Sequence, residues 1–172
     1  MSSTIDNTGS NTMANALKAF LPATENIDIL VGYFYFSWFK EVYKEMADKK
    51  IRILVWMDMD EKLIPLLSRK QPQNLYEMRS SEKWASLLDE EEKYFNVLAG
   101  IFNDTNWFED ADSLSAFKVF VSKIEDGTME IKKSIQPRHD KLFIFHYKEE
   151  NTKNGYQPGS VITGSSNLSY SG

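Results

Sequence analysis

The stretch from Ile27 to Met57 constrains the fold more than any other. It opens with Ile27-Asp-Ile-Leu-Val-Gly-Tyr-Phe-Tyr-Phe36, β-branched and aromatic-rich with apolar residues on both faces, as a strand buried within a sheet requires. Ser37 is a suitable N-cap, and beyond it Trp38, Val42 and Met46 share a helical stripe with Phe39 and Tyr43 beside it. Lys49-Lys50 closes that helix, and Ile51-Arg-Ile-Leu-Val-Trp-Met57 supplies a second strand. Strand, helix and strand within about thirty residues form the βαβ unit of a parallel sheet, whose crossover is almost always right-handed.

The rest of the chain fits the same class. Residues 1–11 are polar and small and predict a flexible lead-in to one domain over 12–172. Thr12 predicts the cap of a short helix through Leu17 and Phe20, stopped by Pro22. Asp58–Arg69 predicts a helix kinked or restarted at Pro65, Gln71–Asn74 a loop, and Ser81 a longer helix through Trp84, Leu87, Leu88, Tyr94 and Leu98, closed by Gly100. Asn103–Asp110 is a polar connector and Ser113–Ser122 a further helix. Asp126-Gly127 predicts a turn and Met129–Ile135 a strand, which Pro137 blocks. Lys141-Leu-Phe-Ile-Phe145 is a buried strand, Lys148–Pro158 a polar hairpin loop containing Asn154-Gly155, and Ser160–Thr163 the returning strand. No internal repeat is visible. The expected architecture is α/β, with a mixed, mostly parallel and largely buried sheet flanked by helices.

Composition narrows the chemistry. With 172 residues, 42% of them hydrophobic, the chain can bury a core, and with no cysteine it holds no disulfide, thiolate nucleophile or Cys-ligated metal. The N-terminus lacks a basic stretch followed by an apolar one, and the longest apolar run, Ile29–Phe36, is too short to span a bilayer. A cytoplasmic protein without a membrane partner is expected. The net charge of −5 argues against binding polyanions over the whole surface. The charge is uneven, however: Glu77–Asp112 is acidic, whereas Lys118–Lys141 carries Lys118, Lys123, Lys132, Lys133, Arg138 and Lys141 against four acids.

That basic stretch leads to one of only two histidines, His139 and His146. In His139-Asp140-Lys141 the strand period of two turns His139 and Lys141 to one side and Asp140 to the other. Downstream, Gly164-Ser165-Ser166-Asn167 ends a strand at an expected helix N-terminus, where free N–H groups and small hydroxyls favour an anion. The hairpin between them would lay the two strands side by side. An imidazole, an ammonium, a carboxamide and an N–H nest converging there describe a phosphate pocket without a metal.

Here the chain resembles the phospholipase D superfamily, whose motif reads His-x-Lys, four residues, Asp, then Gly-Ser-x-Asn at the end of the next strand. The matching residues are His139, Lys141, Gly164, Ser165 and Asn167. Upstream, the run from Ile27 to Met46 and Ile51 to Asp58 is similar to the first βαβ unit of the phospholipase D-like domain that precedes bacterial superfamily-two helicase domains. The likeness covers nearly the whole chain except Gln71–Glu125, which matches no motif.

The resemblance implies phosphodiester chemistry. His139 would attack phosphorus to give a phosphohistidine that water resolves, while Lys141 and Asn167 hold the non-bridging oxygens, with Ser165, Gly164 and Ser166 binding phosphate. No cofactor or metal is implied. A second histidine, the general acid, comes in the family from a second motif copy; this chain has one copy, so a homodimer supplying His139 from each protomer is expected. His146 lies an odd seven positions from His139 and would face away from it. It stands where the family has its Asp, a carboxylate that nuclease-type relatives also lose. The loop between the halves is longer than usual, and relatives continue beyond Asn167, so a domain truncated at its C-terminal end is expected. Nucleic acid is the expected partner, DNA in preference to RNA, with a helicase region C-terminal in the same polypeptide. The alternative is a catalytically silent phosphate- or nucleic-acid-binding module supporting that motor. No Gly-x-x-x-x-Gly-Lys-Ser/Thr occurs, so the motor itself is not within these residues.

Plainer roles stand beside these. Gly164–Asn167 also suits an ordinary turn and helix cap. Lys132, Lys133 and Arg138 either guide a polyanion to the pocket or defend a solvated strand edge. Tyr33-Phe-Tyr-Phe-Ser-Trp-Phe39 can stack bases, but its spacing favours core. Asp58, Asp60 and Glu61 at a strand's carboxyl end can hold Mg²⁺, though capping of the following helix by Asp58 or Asp60 is simpler. Asp89–Glu92 is a solvated helix face.

Overall fold

The computed structural model describes residues 13–60, 63, 66–67, 111–134, 141–152 and 158–164. Helix α1 (Met13–Phe20) runs into a 3-10 turn at Leu21–Ala23, then strand β1 (Thr24–Phe34), helix α2 (Phe36–Met46) and strand β2 (Lys50–Met59). After helix α3 (Ala111–Glu125) come strands β3 (Met129–Lys133) and β4 (Lys141–Tyr147), the short helix α4 (Glu149–Thr152) and strand β5 (Gly159–Gly164). The expected helix from Ser81 to Gly100 and the connector at Asn103–Asp110 lie outside the described residues. So do most of Asp58–Arg69, of which Asp58 and Met59 belong to β2 and not to a helix.

The five strands form one mixed sheet in the order β3-β2-β1-β4-β5. β1 pairs parallel with β2, and β2 with β3, which is the βαβ unit expected from Ile27–Met57. β4 pairs antiparallel with both β1 and β5, so four strands run one way and β4 alone runs the other. The C-terminal ends of β1, β2, β3 and β5 therefore share one edge of the sheet with the N-terminal end of β4. Open α/β sheets use that edge for ligands.

One sheet face packs beneath the helices. Ile27, Ile29 and Val31 of β1, Ile51, Ile53 and Val55 of β2, and Phe143 and Phe145 of β4 alternate into a single core with Leu17, Phe39, Val42, Met46, Phe117 and Phe120. Aromatic rings meet edge-on at its centre, Phe39 to Phe120 at 5.3 Å and Phe36 to Phe117 at 5.7 Å between centroids. Such pairs add about 0.5–1.5 kcal/mol each beyond the area they bury. A buried Lys123 on α3 ties the helices to the sheet: its ammonium donates to the carbonyls of Ala47 and Lys49, just past the end of α2, and to Thr128 Oγ1. Burial pushes the Lys123 pKa down. Gly127, at φ 75°, makes the expected Asp126-Gly127 turn, and Thr128 N–H donates to Asp126 Oδ1 at 2.8 Å.

On the second sheet face the described side chains are half-buried or exposed. Leu30, Leu54, Leu142 and Ile144 form its apolar middle. A charged band crosses it: Lys132 pairs with Glu130 at 2.9 Å, and Asp28 takes both Arg52 Nε and Nη2 at 2.6 Å. His146 Nε2 meets the same carboxylate, at 2.9 Å from Oδ2. The Arg52 hydrogen bonds, then His146, hold the Asp28 carboxyl below its ordinary value.

The structure corrects several boundaries. β1 starts at Thr24 and ends at Phe34, and the N-cap position of α2 is Tyr35, not Ser37, which already lies in the first turn. α3 extends past the predicted helix at both ends, and the Lys148–Pro158 loop contains α4.

Two outcomes test this account. A Cβ at Gly159 would collide with the Phe145 carbonyl oxygen across the β4–β5 hairpin. Gly159→Ala should therefore lower unfolding stability by about 1–3 kcal/mol in urea titration. Because the native Asp28 pKa is depressed, its contribution is whole above the ordinary value of 3.8 and disappears as pH falls through the lower native value. Asp28→Asn should flatten that acid limb of the stability curve while remaining folded at pH 7.

Candidate functional site

The β4–β5 hairpin decides where the two halves of the phosphate motif begin. Lys141 opens β4 and Gly164 closes β5, and the two are direct partners in the antiparallel ladder. Residues directly opposite in such a ladder lie about 4.5–5.5 Å apart. His139 and Arg138 precede Lys141, and Ser165, Ser166 and Asn167 follow Gly164; these five lie outside the described residues. The structure thus joins Lys141 to Gly164 at the edge of the sheet where the parallel strands end. The Lys141 ammonium sits over the Trp56 ring of β2, 5.8 Å from its centroid, so it reaches across β1 along this edge.

Lys132 and Lys133 do not join this pair. They sit on β3, at the far side of the sheet, about 14 Å from β4 by three strand spacings. Lys132 is engaged by Glu130 on the second face. Lys133 closes β3 opposite Val55, whose β1 partner is Val31. That places Lys133 on the same level of the sheet as Lys141, because Leu30 pairs with Leu142. The two lysines bracket the edge instead of lining one pocket. His146 points to the second face and is held by Asp28.

Between the lysines lies a feature that sequence spacing assigned to the core. Phe34, Phe36, Trp38 and Phe39 are indeed buried, but Tyr33 and Tyr35 are half-exposed. Val31 and Phe34 both face the helices although they lie an odd three positions apart, so the alternation slips between them, where the pairing register with β2 also shifts. Tyr33 and Tyr35 consequently emerge opposite the core. Their rings stack on each other with centroids 6.2 Å apart and planes 8° from parallel. The signal was present in the Tyr-Phe-Tyr-Phe alternation, which by a period of two separates phenols from phenyls.

The acidic residues at the end of β2 also differ from expectation. Asp60 caps the preceding helix α2 and not a following one: its Oδ2 accepts the Phe36 N–H at 2.7 Å, while its own N–H donates to the Phe34 carbonyl at 3.2 Å. Asp58 Oδ1 accepts the N–H of Met59 at 2.9 Å. Burial, and then the charges of Asp58 and Asp60, raise the Tyr35 pKa, which keeps its phenol protonated. Among the described residues no three His, Asp or Glu side chains are grouped as a metal site, and no helix is long and apolar enough to cross a membrane.

The edge so built offers an ammonium, a glycine-ended strand and two stacked phenols to whatever lies across it, a combination suited to an anionic and aromatic ligand. No protein-family model, curated protein or solved structure matches the chain.

Proposed function

We propose that the chain is a phospholipase D-like phosphodiesterase domain that acts on nucleic acid through a phosphohistidine intermediate. The observation that supports this most is the pairing of Lys141 with Gly164, which starts both halves of the motif from neighbouring positions on one sheet edge. In this mechanism the imidazole of His139 attacks phosphorus and the bond to the leaving oxygen breaks. A second histidine, His139 of another protomer in a two-fold dimer, gives that oxygen its proton. Water then attacks the phosphohistidine, releasing the phosphate product and restoring the free imidazole. Lys141, Asn167 and the N–H groups at Gly164–Ser166 stabilise the charge on the non-bridging oxygens. The module would serve a helicase motor elsewhere in the same polypeptide, and DNA is the favoured substrate.

A specific feature favours a second reading, a binding module without turnover. His146 stands where the family carries a carboxylate, and it is turned to the second face by Asp28.

None of the proposed steps draws on a metal ion, so labelled single-stranded and duplex oligonucleotides are incubated with the protein in EDTA. Cleavage is expected, with a loss of about a thousandfold or more in His139→Ala and about a hundredfold in Lys141→Ala. Sedimentation at micromolar concentration should show a dimer. Cleavage unchanged in His139→Ala would sink the mechanism, and phosphate-dependent binding without cleavage would establish the second reading.

A further inference from the structure

The stacked tyrosines have no evident structural task. Among the described residues neither phenol oxygen makes a hydrogen bond, and the core is closed on the other side by Phe34 and Phe36, 0% and 3% exposed. A half-exposed pair of parallel rings leaves apolar area in contact with water that a flat partner would cover. The backbone beneath is fixed, since Asp60 hydrogen-bonds the residues on either side of Tyr35, and Trp38 N–H donates to the Tyr35 carbonyl at 3.2 Å.

The surroundings specify what that partner carries. β1, which bears both tyrosines, lies between β2 and β4, with Lys133 beyond β2 on one side and Lys141 on the other. A lysine thus stands at this edge of the sheet on either side of β1, two strands away in one direction and one in the other. Asp58, opposite Tyr33 in the β1–β2 ladder, and Asp60 border the rings themselves. A flexible polyanion crossing this edge would have its phosphates drawn to the lysines and kept off the rings by the carboxylates, leaving its flat, uncharged parts on the tyrosines. Nucleobases have that form, and they are free to stack on protein only where the strand is single.

We infer that Tyr33 and Tyr35 form a stacking platform for the bases of single-stranded nucleic acid whose backbone runs along the sheet edge past Lys141. The inference rests on the phosphate-site reading above and adds to it the class of strand and the residues that hold its bases. Aromatic stacking of this kind tolerates every base, so the platform confers a preference for single strands without sequence specificity.

The test compares a dye-labelled thymidine octamer with an abasic octamer of equal charge, by fluorescence anisotropy on the full chain carrying His139→Ala, which leaves both strands uncut. The thymidine strand should bind about tenfold tighter or more, the usual worth of one or two stacked bases. Tyr33→Leu with Tyr35→Leu should bring its affinity down to that of the abasic strand while leaving abasic binding unchanged. Tyr35→Phe, which keeps the ring, should retain the preference and stands in should the double variant fail to fold. Equal binding of the two octamers, or a preference that survives the double substitution, overturns the platform and leaves the phosphate site standing. Failure of both octamers to bind removes the phosphate-site reading and the platform with it.

Discussion

Everything at the edge where the parallel strands end depends on the hydrogen bonding of β1 along both of its sides. On one side it pairs parallel with β2, from Asn26 opposite Lys50 to Phe34 opposite Met59; on the other it pairs antiparallel with β4, from Thr24 opposite Tyr147 to Leu30 opposite Leu142. Slipping either ladder by one residue would turn a row of Ile, Val or Phe side chains out of the core, so the buried face locks both. With β4 reversed and β5 returned by a hairpin, the start of one strand and the ends of four are forced to one rim. Lys141, Gly164, Lys133 and the two tyrosines share that rim for this reason, although Tyr33 and Gly164 lie 131 positions apart in the chain.

The parts that could be read from sequence are those where a local pattern and the tertiary outcome coincide. Trp38, Val42 and Met46 recur at helical spacing because one side of α2 is buried, and all three are. Ile27-Asp-Ile-Leu-Val reads as a strand for the same reason. The pairing of β4 with β5, and with it that of Lys141 with Gly164, followed from a hairpin signal between alternating strands. What escaped is what depends on distant residues. Ser37 has good capping chemistry, yet the first free N–H of α2 is taken by Asp60, 24 residues away, which moves the helix start back to Phe36. The alternation of Tyr33-Phe-Tyr-Phe36 separates phenols from phenyls, but which set faces the helices depends on a slip after Val31 that the local pattern does not announce.

Charge shows the same separation between the chain's average and its local arrangement. The acidic net balance says little about the rim, where lysines and carboxylates occupy different strands in a fixed order. On the second face, opposite signs succeed one another from Lys132 and Glu130 to Arg52 and Asp28, with His146 on the same carboxylate. Exposed pairs of this sort contribute little stability singly, about 0–1 kcal/mol. Here they saturate one another across four strands, so the face carries polar groups without presenting a field of one sign. The rim, by contrast, holds cations apart from anions and therefore has direction.

The double hold of Asp60 on the residues either side of Tyr35 has a thermodynamic consequence. A surface ring on a loose loop must surrender its freedom when something settles on it, and that loss offsets much of the contact made. Here the chain's own folding has already removed that freedom. Association on such a ready-made surface should be governed by enthalpy and by released water, with a backbone as still before the encounter as after it.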